Sequence, residues 1–232
     1  MRPLFEPALQ ALIDRLQARS REQLPEMGQY FSTRAARGEL DWSRFDDDAN
    51  RFLADKLVAL EPDKAEYCYL TARSLQARRI VEVGTSYGVS TLYLAAAVRD
   101  NGGGTVIGTE YEPAKAAAAR AHLAEAGLEK FVDLRVGDLR ETLKRIEGPV
   151  DFVLMDIWVE MVRPAIELIA PHLRAGAVVV CDNTRQFEAG YRAYFEYVND
   201  PARGFATRTL PFEGGLELTV KTVAGEAALR GA

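Results

Sequence analysis

Short runs rich in valine and isoleucine alternate with helical stretches after residue 79, and this alternation limits the possible folds more than any other feature. The runs span residues 80–83, 105–109, 132–136, 150–155 and 177–180. The helices predicted around them span residues 89–99, 113–126, 139–146, 160–173 and 187–198. Apolar strands separated by helices predict a doubly wound α/β fold, with a mostly parallel sheet covered on both faces. Two later runs, 205–210 and 216–223, flank a turn with proline and two glycines and predict an antiparallel hairpin.

The N-terminal quarter has a different pattern. Apolar residues such as Leu9, Leu12 and Leu16 recur at helical spacing. We therefore expect a helical N-terminal extension over residues 1–60 that supplies dimer or lid contacts. The main domain is expected to span residues 61–225.

Composition excludes several classes of protein. The 232 residues carry a net charge of -5, whereas nucleic-acid binding requires a basic face. The sequence contains no apolar run of membrane-spanning length, and Glu6, Asp14 and Arg15 interrupt the start, so we expect neither a membrane segment nor a secretory signal. Cys68 and Cys181 form no CxxC pattern, which disfavours zinc or a disulfide framework. A cytoplasmic protein is expected.

The first strand runs into a glycine-rich loop. Gly84 and Gly88 allow a sharp turn and a close ligand approach, although a plain strand-to-helix turn would also use them. Glu110 ends the second strand and could accept hydrogen bonds from both hydroxyls of a ribose. The GxxxG spacing differs from the GxGxxG turn of dinucleotide sites, and Glu82 beside it would repel a pyrophosphate but suit a cationic ligand such as a sulfonium.

Polar residues also follow the third, fourth and fifth strands. Asp138 lies where an adenine edge would lie and could equally cap the next helix. Asp156, Asp182 and Asn183 offer only hard oxygen donors, which fit Mg²⁺ or Ca²⁺ better than zinc. Individually, each could be a helix cap or an Asx-turn. Their convergence on one sheet edge favours a cation site.

These motifs together resemble the metal-dependent O-methyltransferases, the group that contains the catechol and caffeoyl-coenzyme A enzymes. The resemblance covers residues 80–221 and is carried by the stretches 81–90, 110–113, 137–138, 151–156, 181–184 and 210–216. It implies a seven-stranded sheet with an antiparallel last strand, S-adenosylmethionine as cofactor, a small-molecule acceptor and a homodimer.

The resemblance also implies roles for individual residues. Those expected to contact or lie near S-adenosylmethionine are Glu82, Gly84, Thr85, Ser86, Ser90, Glu110, Tyr111, Asp138, Leu139 and Asp156. Asp156, Asp182 and Asn183 are expected to hold a divalent cation, Mg²⁺ or alternatively Ca²⁺. Trp158 is expected to touch the acceptor.

Two departures from the family pattern concern the acceptor site. Val159 stands where catechol-type members carry a general-base lysine, and the stretch 185–190 after Asn183 is short. The catalytic candidates are Asp156 and Glu160. Ionisation of the acceptor by the metal alone is favoured, with Glu160 as the alternative base. Other readings remain open: an N- or carboxyl-methyltransferase with a vestigial metal site, a non-catalytic adenosyl-ligand-binding protein and, more weakly, a nicotinamide-dependent oxidoreductase.

Overall fold

The computed structural model describes residues 4–41 and 46–222, and its centre is one seven-stranded sheet. The strands are β1 Arg79–Val83, β2 Thr105–Glu110, β3 Val132–Val136, β4 Val150–Met155, β5 Leu173–Asp182, β6 Phe205–Leu210 and β7 Leu216–Lys221. Their order is β3-β2-β1-β4-β5-β7-β6, with β1 to β5 parallel and β7 antiparallel to both of its neighbours. The predicted doubly wound α/β fold with an antiparallel C-terminal hairpin is confirmed.

Helices cover both faces of this sheet. They are α1 Pro7–Ala36, α2 Asp47–Leu53, α3 Pro62–Ser74, α4 Val89–Asp100, α5 Pro113–Glu125, α6 Leu139–Thr142, α7 Val159–Ile169 and α8 Arg192–Val198. Short 3₁₀ turns follow at Glu129–Phe131, Ala170–His172 and Pro201–Arg203. Within the described ranges, no helix has both the length and the apolar character needed to cross a membrane.

Three predicted helices are longer than the observed ones. The helix predicted over 160–173 ends at Ile169 and continues as the 3₁₀ turn Ala170–His172, because Pro171 has no backbone N–H to donate to an α-helical hydrogen bond. The helix predicted over 139–146 has only one turn. The helix predicted over 187–198 begins at Arg192, and the residues before it form turns around Gly190, a poor helix former.

Alternating side chains of the strands divide the interior into two layers. Ile80 of β1 packs with α3 and α4, whereas its neighbour Val81 packs with α7 and α8 on the opposite face. The apolar stripe of α1, which includes Leu9 and Leu12, is buried in the first layer. Helix α1 is therefore part of the main core along its first half.

The sheet also determines where a ligand can bind. The residues at or just past the carboxyl ends of β1, β2, β4 and β5 meet along one edge, because parallel register aligns these ends: Val83 pairs with Thr109 and Met155, and Met155 pairs with Cys181. In open α/β sheets, ligands bind outside this edge.

Candidate functional site

The loop between β1 and α4 can be built only with glycine at two positions. Gly84 has φ +96°, and a Cβ there would lie 2.0 Å from the carbonyl oxygen of Asp156. Gly88 has φ +84°, and a Cβ there would lie 3.0 Å from Cβ of Ala119. Both backbone conformations belong to the left-handed region that disfavours other residues. The loop thus lies directly against the end of β4 and the middle of α5.

Glu82 fixes this loop from behind. Its side chain is fully buried and accepts hydrogen bonds from the hydroxyls of Thr85 at 2.8 Å, Ser90 at 2.7 Å and Thr91 at 2.5 Å. Burial raises the pKa of Glu82, while the three hydroxyls act in the opposite direction. Glu82 does not line the cavity described below, and its contact with the cofactor stays a prediction.

Glu110 fixes the loop from the front. Its Oε2 accepts a hydrogen bond from the backbone N–H of Ser86 at 2.7 Å, and its Oε1 accepts one from the N–H of Glu112 at 2.8 Å. The side chain is 9% exposed and lines the cavity. Each carboxylate oxygen retains a second lone pair, so Glu110 can also accept hydrogen bonds from a ligand.

These elements open onto a cavity of about 680 Å³. Its lining contains every predicted cofactor residue except Glu82: Gly84, Thr85, Ser86, Ser90, Glu110, Tyr111, Asp138, Leu139 and Asp156. The predicted acceptor and catalytic residues Trp158 and Glu160 line it too, as does Asn183. One continuous cavity therefore joins the glycine loop to the ends of β4 and β5.

The N-terminal helices form a wall of this cavity. Met27 and Phe31 of α1 and Leu53 of α2 line it opposite the sheet edge. Asn50 of α2 donates a hydrogen bond from Nδ2 to Oε1 of Glu112 at 2.8 Å, which ties the wall to the loop after β2. Together with Trp158, Met161 and Phe187, these side chains give one end of the cavity an apolar surface.

Asp138 caps a helix and also lines the cavity. Its Oδ1 accepts a hydrogen bond from the backbone N–H of Arg140 at 2.8 Å and caps α6. The Arg140 side chain also pairs with it, and this hydrogen bond lowers the pKa of Asp138. Because Asp138 lines the cavity as well, capping does not remove it from the ligand side.

Asp156, Asp182 and Asn183 do lie at one edge, but Asp182 already has two partners. Its Oδ2 accepts a hydrogen bond from Nδ2 of Asn183 at 2.9 Å. Its Oδ1 lies 2.7 Å from Nζ of Lys64, a lysine of α3 that is only 1% exposed. Burial raises the pKa of Asp182 to about 6, although Lys64 opposes this shift. Asp182 and Lys64 are below the cavity floor and do not line it.

A divalent cation does not fit this arrangement as it stands. Such an ion requires oxygen ligands directed at one point. Here a nitrogen of Asn183 lies against one oxygen of Asp182, and the ammonium of Lys64 lies against the other. The Asn183 oxygen is directed towards Gly214, where an added Cβ would be 2.6 Å away. Across the described parts of the chain, no group of three or more His, Cys, Asp and Glu side chains could hold a metal ion.

The acceptor end of the cavity carries the departure noted in the sequence. Val159 begins α7, is 8% exposed and presents an apolar side chain where the resembling enzymes have lysine. Glu160 follows in the first turn of α7 and also lines the cavity. It is thus a carboxylate within the acceptor region, and its charge raises the pKa of Arg140 as a minor contribution beside that of Asp138.

Sequence reasoning missed Lys64 and the cavity wall formed by α1 and α2. Lys64 is on the same face of α3 as the buried residues Cys68 and Ala72, at spacings of four and eight. A lysine at i, i+4 spacing from an apolar stripe was therefore a usable signal. The wall gave no comparable signal, because it depends on contacts between distant parts of the chain.

Comparisons with known proteins agree with this geometry. A family model described as a methyltransferase domain matches residues 81–184. A catechol O-methyltransferase from Mycobacterium tuberculosis is 35% identical over 127 residues, covering 54% of this chain and 57% of that protein. A second catechol O-methyltransferase, from Niastella koreensis, is 31% identical over 134 residues, covering 54% of this chain and 58% of that protein. The chain therefore spans under two thirds of the length of these curated relatives.

A solved structure extends the comparison over most of the chain. The O-methyltransferase TomG from Streptomyces achromogenes, involved in tomaymycin synthesis and solved in complex with S-adenosylmethionine, is 27% identical. The match covers 78% of this chain and 92% of that one, with a TM-score of 0.66. Together with the strand order and the glycine loop, these matches show that the chain is similar to S-adenosylmethionine-dependent O-methyltransferases and that residues 81–184 match a methyltransferase domain.

Proposed function

We propose that this protein binds S-adenosylmethionine along the sheet edge and transfers its methyl group to a hydroxyl of a small acceptor. The observation that carries the proposal is the single cavity that joins Glu110 and the glycine loop to the apolar wall. The ribose hydroxyls would bind Glu110, and the adenine would lie beside Asp138 and Leu139. The methionine part would follow the loop at Gly84, pointing its methyl group towards Asp156.

The acceptor would occupy the apolar end of the cavity. Phe31, Trp158 and Met27 border that end and fit a flat, largely apolar molecule, such as a catechol-like ring. The curated relatives described above are named catechol O-methyltransferases. Because the chain spans little more than half of their length, the acceptor class is proposed for this chain on the shape of its own cavity.

The chemistry requires alignment and removal of one proton. Holding the acceptor oxygen in line with the sulfonium methyl supplies much of the acceleration, because it converts a bimolecular step into an effectively unimolecular one. In the transfer, the oxygen–methyl bond forms as the sulfur–methyl bond breaks, and S-adenosylhomocysteine leaves. With Lys64 on Asp182 and Val159 unable to accept a proton, we assign the hydroxyl proton to Glu160, while Asp156 orients the hydroxyl.

Two measurements test the proposed activity. Calorimetric titration should show binding of S-adenosylmethionine and S-adenosylhomocysteine and no tight binding of NAD. Formation of S-adenosylhomocysteine should then be measured against catechols, simple phenols, carboxylates and amines of similar size. Turnover only with amines or carboxylates would favour an N- or carboxyl-methyltransferase. Cofactor binding without turnover on any acceptor would leave a non-catalytic adenosyl-binding protein.

The role of Glu160 has its own test. Glu160→Gln should lower kcat by about a hundredfold or more if Glu160 accepts the proton, with cofactor affinity unchanged. Glu167→Gln is a matched control on the same helix, because Glu167 is exposed and pairs with Arg163. Equal turnover in both variants would contradict the assignment.

A cytoplasmic location and a homodimer remain predictions.

A further inference from the structure

Lys64 is a buried charge below the cavity floor, and the methyl-transfer scheme above gives it no task. Its ammonium lies 2.7 Å from Oδ1 of Asp182 and 2.9 Å from Oε2 of Glu61, with 1% of the side chain exposed. Asp182 is 3% exposed, and Glu61 reaches the cavity lining. The charge of Lys64 also acts on Asp156 across the ends of β4 and β5.

Removing an ammonium from water is costly unless carboxylates compensate for the lost hydration. Here Asp182 and Glu61 provide that compensation directly. The Asp156 carboxyl is also nearby: burial raises its pKa, and the charge of Lys64 opposes that shift. Lys64 therefore has the surroundings of a bound cation: acidic oxygens at the carboxyl ends of neighbouring strands. The chain itself supplies the positive charge.

We propose that the ammonium of Lys64 is the resident cation of this site and competes with divalent ions for Asp182. A divalent ion has two ways to bind. It can displace Lys64, which leaves an ammonium buried with only Glu61, or it can bind beside Lys64 against charge repulsion. Both routes lower its affinity. The site therefore binds divalent ions weakly, and methyl transfer proceeds with Lys64 in their place.

The inference rests on the proposed function for the identity of the site, but its main test measures ion binding without acceptor and can fail separately. Mn²⁺ is titrated into the full-length chain saturated with S-adenosylhomocysteine, and free Mn²⁺ is followed by electron paramagnetic resonance. Lys64→Met keeps an unbranched side chain that is one atom shorter and removes its charge. We expect this variant to bind one Mn²⁺ with an affinity at least about tenfold higher than that of the wild type.

Lys56→Met is the matched control. Lys56 is also buried, at 8% exposure, and also pairs with two carboxylates, Asp55 and Glu26, but it is not at the strand edge. Its variant should bind Mn²⁺ as the wild type does. If Lys64→Met binds Mn²⁺ no more tightly than the wild type, the proposal is overturned.

A second variant and measurements on the wild type test the proposal if Lys64→Met does not fold. Lys64→Arg retains the charge and should bind Mn²⁺ as weakly as the wild type. The wild type should also keep its turnover after dialysis against a chelator. Micromolar Mn²⁺ affinity in the wild type, or turnover that is lost in the chelator and restored by Mn²⁺, would show that Lys64 does not replace the ion.

Discussion

Substitution of Glu110 by glutamine separates the two tasks that the structure and the proposed function give to this carboxylate. Both oxygens accept backbone hydrogen bonds, from Ser86 at 2.7 Å and from Glu112 at 2.8 Å. Glutamine supplies one acceptor oxygen and one NH₂ donor. One of the two backbone N–H groups therefore faces another donor in Glu110→Gln.

The structure sets the size of both effects. A partly buried N–H left without an acceptor costs about 1–3 kcal/mol, and each kcal/mol lowers Tm by about 2–4 °C in a chain of this length. The lost charged acceptor for the ribose costs roughly 1.5–3 kcal/mol of binding free energy, which weakens cofactor affinity about 10- to 150-fold. The variant should thus fold, melt several degrees earlier and bind the cofactor poorly.

Calorimetry with S-adenosylhomocysteine and its 2′,3′-dideoxy analogue distinguishes the ribose contact from damage to the loop. The wild type should bind the dideoxy analogue more weakly, whereas Glu110→Gln should bind both ligands with the same low affinity. Glu112→Gln is the control, since its side chain pairs with Asn50 and should leave the discrimination intact. If the wild type binds both ligands equally, or if Glu110→Gln still discriminates, the assignment of the ribose to Glu110 is wrong.

The remaining predictions concern three positions. Gly84→Ala should abolish cofactor binding in calorimetry and cost several kcal/mol of unfolding free energy in urea, because its Cβ would meet a backbone oxygen at 2.0 Å. The control Gly28→Ala lies in open space within α1 and should raise the free energy of unfolding by about 0.5–1 kcal/mol. Burial raises the pKa of Asp151, but the hydrogen bonds from Arg174 and two backbone amides outweigh it, so its pKa is lowered in the folded state. The stabilising contribution of Asp151 is therefore complete above the unfolded pKa of about 3.9 and is lost as the pH falls through the folded value. In urea titrations at decreasing pH, the free energy of unfolding of Asp151→Asn should fall less steeply than that of the wild type. Val159→Lys should raise S-adenosylhomocysteine formation with simple catechols, because it adds a second base beside Glu160, and unchanged or lower turnover would show that a lysine at that position does not assist proton removal.

The fold was predictable because its determinants are local. Strands β1, β2, β4 and β5 each contain an apolar run, β3 alternates apolar and charged residues, and each following helix has its own periodicity. Parallel register then brings the strand ends together without further information, which is why Glu110, Asp138 and Asp156 could be assigned to one edge. Helix lengths were less predictable, since Pro171 and the turns around Gly190 end or delay helices within otherwise suitable stretches.

The orientation of charged side chains at the site could not be read from the strand pattern. Glu82 precedes the glycine loop, but whether it faces the ligand or the loop hydroxyls depends on Thr85, Ser90 and Thr91 all turning towards it. The apolar wall depends on α1 and α2 packing over a cavity that Asp156 and Trp158 also line, although those two residues are more than 100 positions later in the sequence than either helix. Pairing of this kind becomes visible only in three dimensions.

Val159 and Lys64 are two linked differences from the resembling enzymes. Those enzymes place a general-base lysine at the position of Val159, beside a divalent ion that supplies positive charge. In this chain α7 carries no lysine at that position, and a buried ammonium reaches the strand edge from α3, through Asp182. Asp182 and Glu61 offset the charge of this ammonium below the cavity floor, and the acceptor proton would leave to a separate carboxylate on α7. On this argument, the weak divalent site follows from where the cation resides, and Glu160 takes over the task of the base missing at position 159.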